Sequence, residues 1–284
     1  MSKILVTGGE GLVGSHLVHT LADMGHTVTS VDNHFNSSDN PRHPTVDYWI
    51  MDCKFIRESN MAEKEFDYIF HLGEYARVEQ SFKDLDIVMD YNLVTFPTML
   101  KFAKEKNAKF IYSGSSTKFA VGEVGSAQSP YAFTKAQNTE LLKNYAEWYG
   151  LDYTIVYFYN VYGKGEKGSG KYATVVQKFI DKAMTSNDPL PVTSPGTQLR
   201  NFTHVDDIVS GLMLAGFRGN GDGYGIGNDY KYSILNLVDM LGCEPEMKPE
   251  KPGNRMDGEL KTDKLKALGW SAEKDLRDYI RSQI

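Results

Sequence analysis

The feature that most constrains the fold of this chain is a glycine-rich loop near its N-terminus, TGGEGLVG. The loop separates an apolar run, Lys3–Thr7, from an amphipathic run, Leu12–Met24. The first pattern predicts a buried strand and the second predicts a helix. Glycines at such a junction allow a tight turn and let the backbone approach a pyrophosphate, which binds the free N–H groups that begin the helix. The loop therefore predicts a βα unit that binds a dinucleotide.

The spacing of the glycines supports this interpretation. Gly9, Gly11 and Gly14 fit the pattern G-x-G-x-x-G. Gly8 with the same two later glycines fits G-x-x-G-x-x-G. Asp32 follows at the end of the next apolar run, where an acidic side chain accepts hydrogen bonds from a ribose diol and repels a 2′-phosphate, which favours NAD over NADP. The residues alone leave one alternative, a tight βα turn followed by a carboxylate at a strand end.

Short apolar runs continue to alternate with longer amphipathic runs through the first half of the chain. Strands that are apolar along their whole length and alternate with helices are typical of a parallel sheet covered on both faces. The predicted fold class is therefore α/β, with a Rossmann-type, doubly wound parallel sheet. Strands are predicted at Thr27–Val31, Val46–Met51, Tyr68–Leu72, Phe110–Ser113 and Tyr153–Phe158, and helices at Phe82–Lys106 and Tyr131–Tyr149.

The second half of the chain has a different pattern. Two segments rich in glycine and proline, Gly163–Gly170 and Asp188–Gly196, are predicted to be loops, and residues 219–223 (GNGDG) a local turn. We therefore expect an NAD-binding domain over residues 1–160 and a smaller substrate-binding lobe over residues 161–284, with segments near 200–226 returning to the first domain. Helices are predicted there at Thr174–Met184, Val205–Phe217, Ile234–Leu241, Asp263–Leu268 and Ala272–Ile284.

Composition and charge narrow the classes of function. The 284 residues carry a net charge of −6, which disfavours nucleic acid or a membrane surface as the main partner. No apolar stretch approaches the ~18 residues of a membrane helix, and the N-terminus does not resemble a signal peptide, so a cytoplasmic protein is expected. Cys53 and Cys243 lie far apart in the sequence, so we predict two free thiols and no metal site.

The stretch SPYAFTK places Tyr131 and Lys135 four positions apart, on one face of a helix. This spacing is common by chance on solvated helices, but its context is specific. Ser129 and Pro130 are typical of a helix start. The hydroxyl cluster Ser113–Thr117 ends the preceding strand, at the sheet edge where such folds bind ligands. The pair is therefore predicted to lie in a binding site.

A tyrosine can act as a base near neutral pH only if its phenolate is stabilised. The pKa of a free tyrosine is near ~10, and lowering it by about 3 units requires roughly 4 kcal/mol. A lysine ammonium one helical turn away and the positive nicotinamide ring can supply this stabilisation in a partly dry site. We therefore predict that Tyr131 is the base, with Lys135 as the cation that stabilises its phenolate and hydrogen-bonds the nicotinamide ribose.

With the glycine loop, Asp32, the hydroxyl cluster and the Tyr–Lys pair in this order, the sequence resembles the extended short-chain dehydrogenase/reductase family. Within that family it is most similar to the NAD-dependent nucleotide-sugar epimerases and dehydratases, such as the UDP-glucose 4-epimerases. The resemblance covers nearly the whole chain. It implies cofactor contacts from Gly8, Gly11, Leu12, Val13, Gly14, Asp32, Asn33, Asp52, Cys53, Leu72, Gly73, Asn92, Ser113, Tyr131, Lys135, Phe158 and Val161. It implies substrate contacts from Ser115, Ser116, Thr117, Tyr131, Asn160, Arg200, Lys251 and Arg255.

Several of these residues stand in motifs that resemble family motifs. Asp52 takes the place of the residue that meets the adenine amine, and Asn160 in YNVYG that of an asparagine that contacts the substrate phosphates. Arg200 in QLRNFTHVDD resembles an arginine that binds the nucleotide diphosphate. Lys251 replaces a family arginine that clamps the diphosphate, and Arg255 is a nearby substitute. The HVDD part of the motif, residues 204–207, is predicted to end a strand and cap a helix rather than to bind a metal.

The resemblance also implies a reaction. In the family, the tyrosinate takes the proton from the sugar 4-hydroxyl while hydride passes to NAD+, and a serine or threonine, here Ser115, hydrogen-bonds the same oxygen. Dehydratases of the family add an Asp-Glu pair immediately after that residue, and decarboxylases usually place a glutamate at the second position. This chain has Ser116 and Thr117 there. A 4-epimerase needs no further acid or base, so we expect a 4-epimerase acting on a UDP-sugar.

Two alternative functions and two structural expectations accompany this prediction. A dehydratase or decarboxylase with acids placed elsewhere is an alternative within the family, and a non-catalytic NAD-binding sensor is an alternative of another class. Only 16 residues separate Ser115 from Tyr131, fewer than is usual in the family, so the loop over the mouth of the site is short. Family resemblance also implies a homodimer through the helices at 82–106 and 131–149.

Overall fold

A computed structural model describes residues 1–119, 129–250 and 254–284 of the chain. Its centre is a parallel sheet of seven strands in the order β3-β2-β1-β4-β5-β6-β11. Six shorter strands form three two-stranded sheets outside it: β7 with β10, β8 with β13 and β9 with β12. The strands are β1 (Lys3–Thr7), β2 (Thr27–Asp32), β3 (Asp47–Ile50), β4 (Tyr68–His71), β5 (Lys109–Ser115), β6 (Tyr153–Phe158), β7 (Val161–Tyr162), β8 (Leu190–Thr193), β9 (Leu199–Arg200), β10 (Thr203–His204), β11 (Gly221–Ile226), β12 (Tyr232–Ser233) and β13 (Pro245–Lys248).

Helices cover both faces of the large sheet and build a smaller lobe at its carboxyl edge. None of the helices in the described ranges combines the length and the apolar composition that a membrane crossing requires. The α-helices are α1 (Leu12–Asp23), α2 (Val78–Ser81), α3 (Leu85–Val88), α4 (Thr95–Glu105), α5 (Pro130–Tyr149), α6 (Val175–Thr185), α7 (Val205–Arg218), α8 (Ile234–Met240), α9 (Asp263–Ala267) and α10 (Leu276–Gln283).

One hydrophobic core lies on each face of the large sheet. Each strand contributes to both cores, because its successive side chains point to opposite faces. Along β5, Phe110 and Tyr112 pack with α4 and α5, while Ile111 packs with α1 and α7 on the other face. A third core, around Phe179, Leu237 and others from α6, α8, β8 and α10, holds the C-terminal lobe together. This arrangement confirms the predicted fold class, an α/β fold with a parallel Rossmann-type sheet.

One predicted loop contains a strand. Within Asp188–Gly196, the residues of β8 pair in parallel with β13, and Pro191 lies opposite Glu246. Proline usually interrupts a strand because it has no N–H to donate. Each strand of a two-stranded sheet is an edge strand, however, and the missing N–H of a proline can there face away from the partner. The prediction of a continuous loop is therefore wrong for this segment.

The glycine-rich turn predicted at residues 219–223 is also wrong in part. Gly221 begins β11, which pairs in parallel with β6 and completes the large sheet. Gly221 and Gly223 have positive φ angles, and the register shifts between Gly221 and Tyr224. The first half of the strand is therefore irregular, which explains why its sequence is that of a turn.

Two predicted helices have different bounds in the structure. The long helix at Phe82–Lys106 is divided into α3, a π-helical stretch at Met89–Val94, and α4. Pro97 has no N–H to donate to the carbonyl of the residue four positions earlier, so regular helix hydrogen bonding is interrupted here. The closing helix begins at Leu276 because Asp275 caps it, accepting a hydrogen bond from the Arg277 N–H.

Candidate active site

A cavity of about 690 Å³ lies where the carboxyl ends of the sheet strands face the C-terminal lobe. One side, here called the sheet wall, is formed by the glycine loop, the ends of β2, β4, β5 and β6, and the first turns of α5. The opposite side, the lobe wall, is formed by residues from Gly165 onward, among them Glu166, Tyr172 and Arg200. The carboxyl edge of a doubly wound parallel sheet is the usual place for a ligand in such folds.

The glycine loop is packed too tightly for side chains at two positions. Gly8 has a φ of +66°, and a Cβ there would lie 2.8 Å from backbone atoms of Leu72 and Gly73. A Cβ on Gly14 would lie 1.9 Å from the carbonyl oxygen of Gly8. Helix α1 begins after Gly11, which has no side chain to cap it, and its first turn contains no acidic residue. Its first N–H groups are therefore positioned to bind a pyrophosphate.

The carboxylate of Asp32 is held in place at the end of β2. It accepts hydrogen bonds from the backbone N–H groups of Glu10, at 3.0 Å, and His34, at 2.8 Å. The nearby guanidinium of Arg42 donates to the Glu10 carboxylate at 2.7 and 3.1 Å. A cation that could hold a 2′-phosphate is thus already paired, which agrees with a preference for NAD.

Helix α5 presents Tyr131 and Lys135 to the cavity, and its start has the predicted chemistry. Ser129 caps it by accepting a hydrogen bond from the Ala132 N–H at 3.1 Å, and Pro130 occupies the first turn. Lys135 is buried, with 4% of the residue exposed. It donates to the carbonyl oxygen of Ser113 at 2.7 Å, which ties α5 to the end of β5.

The hydroxyl cluster follows directly at the end of β5. Ser115 is buried, and its Oγ accepts hydrogen bonds from the hydroxyl of Thr117 at 2.9 Å and from its N–H at 3.3 Å. Ser115, Ser116, Thr117 and Tyr131 all line the cavity. The side chains that follow Ser115 therefore bring hydroxyls, not carboxyls, to this part of the wall.

A buried carboxylate that the sequence analysis did not single out lies beneath Lys135. The side chain of Glu74, just after β4, is fully buried, and its Oε2 lies 2.5 Å from the Lys135 ammonium. Burial raises the pKa of Glu74, but the ammonium of Lys135 and the ring of His71 lower it more, so the pKa lies below its ordinary value. The carboxyl is thus an ionised partner of the lysine. A charged residue three positions after the predicted strand YIFH was the available signal.

Two further charged residues missed by the sequence analysis line the cavity, Arg77 from the segment after β4 and Glu166 from the lobe wall. Arg77 donates to the carbonyl oxygen of Tyr172 at 3.0 and 3.2 Å, and burial lowers its pKa although Tyr131 and Glu166 oppose that effect. Burial raises the pKa of Glu166 to about 7, and one of its oxygens accepts the Gly163 N–H at 3.0 Å. Both side chains line the cavity, so each is a candidate for contact with a ligand.

Two arginines form a positive region on the lobe wall. Arg200 donates to the carbonyl oxygen of Leu199 at 2.7 Å and to Asn254 at 3.3 Å. Arg255 donates to the carbonyl oxygen of Ser116 at 3.0 Å. Burial and the neighbouring Arg255 lower the pKa of Arg200 to about 10. Two partly buried cations that repel each other on one wall of a cavity are suited to bind an anion such as a diphosphate.

A comparison with known families decides the family of the chain. The family model described as the NAD dependent epimerase/dehydratase family matches residues 4–227. The chain belongs to this family. The family is defined as NAD dependent, so NAD is the cofactor.

Individual relatives of the family fall into more than one reaction class. A protein of Methanocaldococcus jannaschii that carries a provisional assignment as UDP-glucose 4-epimerase is 28% identical, covering 99% of this chain and 97% of the relative. A UDP-N-acetyl-alpha-D-glucosaminuronate decarboxylase of Bacillus cytotoxicus is 29% identical, covering 83% of this chain and 78% of the relative. The solved UDP-glucose 4-epimerase of Thermotoga maritima, with UDP-glucose, is 26% identical, with a TM-score of 0.89 over 98% of this chain and 96% of that one.

Most of the residues predicted from the sequence line this one cavity. On the sheet wall these are Gly8, Gly11, Leu12, Val13, Gly14, Asp32, Asn33, Asp52, Cys53, Leu72, Gly73, Ser113, Ser115, Ser116, Thr117, Tyr131, Lys135, Phe158, Asn160 and Val161, and Arg200 and Arg255 lie across from them. Near the NAD-binding loop, burial raises the pKa of the Cys53 thiol, so this side chain is inert lining rather than a nucleophile.

Three of the predicted residues have a different position or role from the rest. Asn92 is fully buried beneath the cavity, where its amide oxygen accepts the Tyr75 N–H at 2.8 Å and its amide nitrogen donates to Thr134 at 2.9 Å. It therefore orders the segment after β4. Lys251 lies outside the described residues. As expected, His204 ends β10 and caps α7, with its ring accepting the Asp206 N–H at 3.2 Å.

Proposed function

We propose that the protein is a nucleotide-sugar 4-epimerase that acts on a UDP-sugar. NAD+, when bound, accepts hydride from C4 of the sugar and returns it to the other face. Tyr131 removes the proton of the 4-hydroxyl as the hydride leaves and gives it back as the hydride returns. Ser115 donates a hydrogen bond to the same oxygen and orients it, and Lys135 fixes the tyrosine side of the site.

One observation carries this proposal. Tyr131 and Ser115 meet in a single cavity with the glycine loop, and the two positions after Ser115 bring hydroxyls to it. A 4-epimerase needs one group that exchanges a proton with the 4-oxygen, and no second acid–base pair at C5 and C6. The serine and threonine at these positions therefore favour epimerisation.

The nucleotide is proposed from the arginines and from the relatives. Arg200 and Arg255 are positioned to bind a diphosphate, with Lys251 as an additional candidate and Asn160 at the end of β6. The Methanocaldococcus and Thermotoga relatives are named for UDP-glucose 4-epimerase activity, and the solved one holds UDP-glucose. A uridine nucleotide is therefore the base to test first.

The proposal is tested by product analysis. The purified protein is incubated separately with UDP-glucose, UDP-galactose and their N-acetyl forms, and the nucleotide sugars are separated by anion exchange and identified by NMR. The proposal expects conversion of at least one of them to its 4-epimer. A 4-keto-6-deoxy product from any of these sugars, or release of CO2 from a UDP-glucuronate substrate, would rule it out.

A second candidate function is a dehydratase or decarboxylase, and Glu166 is the observation that favours it. Its carboxyl lines the cavity, and its pKa of about 7 suits a general acid or base near neutral pH. This acid lies on the lobe wall, away from the family position after Ser115. If the protein is a dehydratase, Glu166→Gln should abolish formation of a 4-keto-6-deoxy sugar. If it is an epimerase, the same substitution should leave the identity of the product unchanged.

We further propose that the protein is a cytoplasmic homodimer that associates through the helices around 82–106 and α5. Several large apolar side chains on these helices are exposed, among them Val94 at 60%, Phe133 at 42% and Trp148 at 63%. Burial of such side chains in a helix–helix interface would be favourable. Light scattering should give twice the 31.9 kDa chain mass, and Phe133→Arg should shift it towards the monomer.

A further inference from the structure

Glu74 occupies an unusual position for a carboxylate, in contact with the ammonium of Lys135, which lines the cavity together with the proposed base Tyr131. It follows β4, and its side chain is fully buried. Within the described ranges, no group of three or more metal-ligating side chains includes Glu74. Burying an ionised carboxylate is costly unless it is paired and hydrogen-bonded, so its partners explain its presence.

The partners of Glu74 hold it on every side. Its Oε2 accepts from the Lys135 ammonium at 2.5 Å and from the Tyr112 hydroxyl at 3.0 Å. Its Oε1 accepts from the Asn138 amide at 2.8 Å and lies 3.7 Å from Nε2 of His71. These partners come from β4, β5 and α5, so the carboxylate links the three elements that meet at the base of the cavity.

The pairing changes the electrostatic environment of Tyr131. An isolated ammonium beside a phenolate stabilises it as a full charge, but an ammonium in contact with a carboxylate acts mainly as a dipole, whose field falls off more steeply. Arg77, from the segment after β4, and Arg255, from the lobe wall, line the same cavity as Tyr131 and interact with it electrostatically.

Two further ionisable groups near this site, Tyr112 and Glu166, do not add positive charge. Tyr112, on β5, interacts with both Glu74 and Tyr131, and burial raises its pKa further above the ordinary value, so it stays neutral. Glu166 interacts with Arg77 and opposes its charge. The stabilisation of a phenolate at Tyr131 therefore depends on the balance between Glu74 and the two arginines.

We propose that Glu74 is a positioning residue that fixes the Lys135 ammonium and offsets most of its charge, so that Arg77, Arg255 and the bound cofactor share in making Tyr131 a base. This rests on the proposed function only in taking Tyr131 as the base. Glu74 thereby sets the pH range of the reaction, whereas the geometry of the Tyr–Lys pair is set by the three elements that Glu74 connects.

The test compares Glu74→Gln with the unaltered enzyme, both saturated with NAD+. The phenolate of Tyr131 is followed with pH by ultraviolet difference absorbance against Tyr131→Phe, and kcat/KM is measured over the same pH range. Removal of the negative charge leaves the Lys135 charge unopposed. The pH midpoint of phenolate formation, and of the rise in kcat/KM, should therefore fall by about one pH unit.

Two matched variants separate charge from packing. Glu74→Asp keeps the charge and alters the fit, so its midpoint should stay close to that of the unaltered enzyme even if the variant is less stable. Glu140→Gln removes an exposed carboxylate from α5, the helix that carries Lys135, and should leave the midpoint unchanged. An unchanged or higher midpoint in Glu74→Gln would overturn the proposal.

A second measurement applies if Glu74→Gln does not fold. Arg77→Met removes one of the cations assigned to stabilise the phenolate, so it should raise the midpoint, and an unchanged midpoint would contradict the proposal. The phenolate titration needs no sugar. Failure to turn over any UDP-sugar would therefore count against the proposed function alone, whereas normal turnover with an unshifted midpoint would count against the role of Glu74 alone.

Discussion

The two walls of the cavity differ in how their charged groups are satisfied. On the sheet wall, Asp32 accepts two backbone N–H groups, and Glu74 and Lys135 form an ion pair with further hydrogen bonds. On the lobe wall, the guanidinium of Arg200 contacts only carbonyl and amide oxygens among the described residues, and the pKa of Glu166 is raised by burial. The charges on the sheet wall are paired within the protein itself, whereas Arg200 on the lobe wall interacts with Asp257 without a hydrogen bond to it among the described residues.

This difference predicts how substitutions on each wall affect the protein. A buried charge with its partners in place is rigid and is part of the fold, so changing it affects stability and activity together. A buried charge without an ionic partner is kept at a cost in stability, and a ligand of opposite charge removes that cost. We therefore expect substitutions on the sheet wall to harm the fold or the chemistry, and substitutions on the lobe wall to harm mainly substrate binding.

The largest effect is expected at Tyr131, at the junction of the two walls. Tyr131→Phe removes the proton-transferring hydroxyl and keeps the ring, so turnover should fall by about 10³-fold while NAD+ affinity and unfolding free energy remain close to those of the unaltered protein. Steady-state kinetics with fluorescence titration of the cofactor measures both. Unchanged turnover would show that the site does not use this tyrosine, as in a non-catalytic NAD-binding protein.

The next largest effect is expected in the glycine loop. In Gly14→Ala the new Cβ would collide with the Gly8 carbonyl, 1.9 Å away, so the start of α1 must shift. The free energy of unfolding should fall by about 3 kcal/mol, and NAD+ binding should weaken with it. Gly242→Ala is the matched control, because its φ is positive but no atom lies near the added Cβ. Equal loss of cofactor affinity in both variants would contradict the close packing of the loop.

Glu166 should make stability depend on pH. Burial raises its pKa from 4.5 to about 7, so the folded state favours the protonated carboxyl. The stabilisation of the folded state by the protonated carboxyl is fully present below about pH 4.5 and is lost as the pH rises to about 7. The free energy of unfolding should fall by about 2–3 kcal/mol over this range. Urea unfolding across this pH range should show the decline in the unaltered protein and its absence in Glu166→Gln. A parallel decline in both proteins would mean that the carboxyl of Glu166 is hydrated or paired, as on the sheet wall.

The smallest effect is expected at Arg200 and distinguishes the walls most clearly. Arg200→Met removes a partly buried cation whose hydrogen bonds among the described residues go to neutral oxygens, so KM for a UDP-sugar should rise by about 10- to 100-fold. The free energy of unfolding should stay the same or increase, because a buried charge is replaced by an apolar side chain of similar length. Kinetics and urea unfolding on the same preparation provide the test. A large loss of stability would show that Arg200 is structural.

Much of the fold and of the sheet wall could be predicted, because the relevant signals are local in the sequence. The glycine loop, Asp32 and the segment from Ser129 to Lys135 each bring strand, turn or helix chemistry and functional groups together within a few residues. The parallel sheet follows from the apolar runs for the same reason. The strand β11 escaped prediction because its early residues are mostly glycine, and its pairing with β6 is what makes it a strand.

The charged groups that distinguish this site from a generic one could not be predicted in this way. The role of Glu74 depends on its contacts with Lys135, Tyr112 and Asn138. These residues lie 38 or more positions away from it in the sequence. Likewise, Arg77 reaches Tyr172 across 95 positions. Their burial is a property of the folded chain, and an isolated charge in a sequence is ordinarily a surface residue.

The central claim is that hydride leaves C4 of the sugar and returns to C4 within one binding event. The most direct measurement uses a UDP-sugar deuterated at C4, with NMR and mass spectrometry of the product formed in ordinary water. The account predicts a 4-epimer that retains the deuterium at C4 and gains none of the solvent protons at carbon. Loss of the deuterium to solvent, or a product changed at C5 or C6, would contradict it.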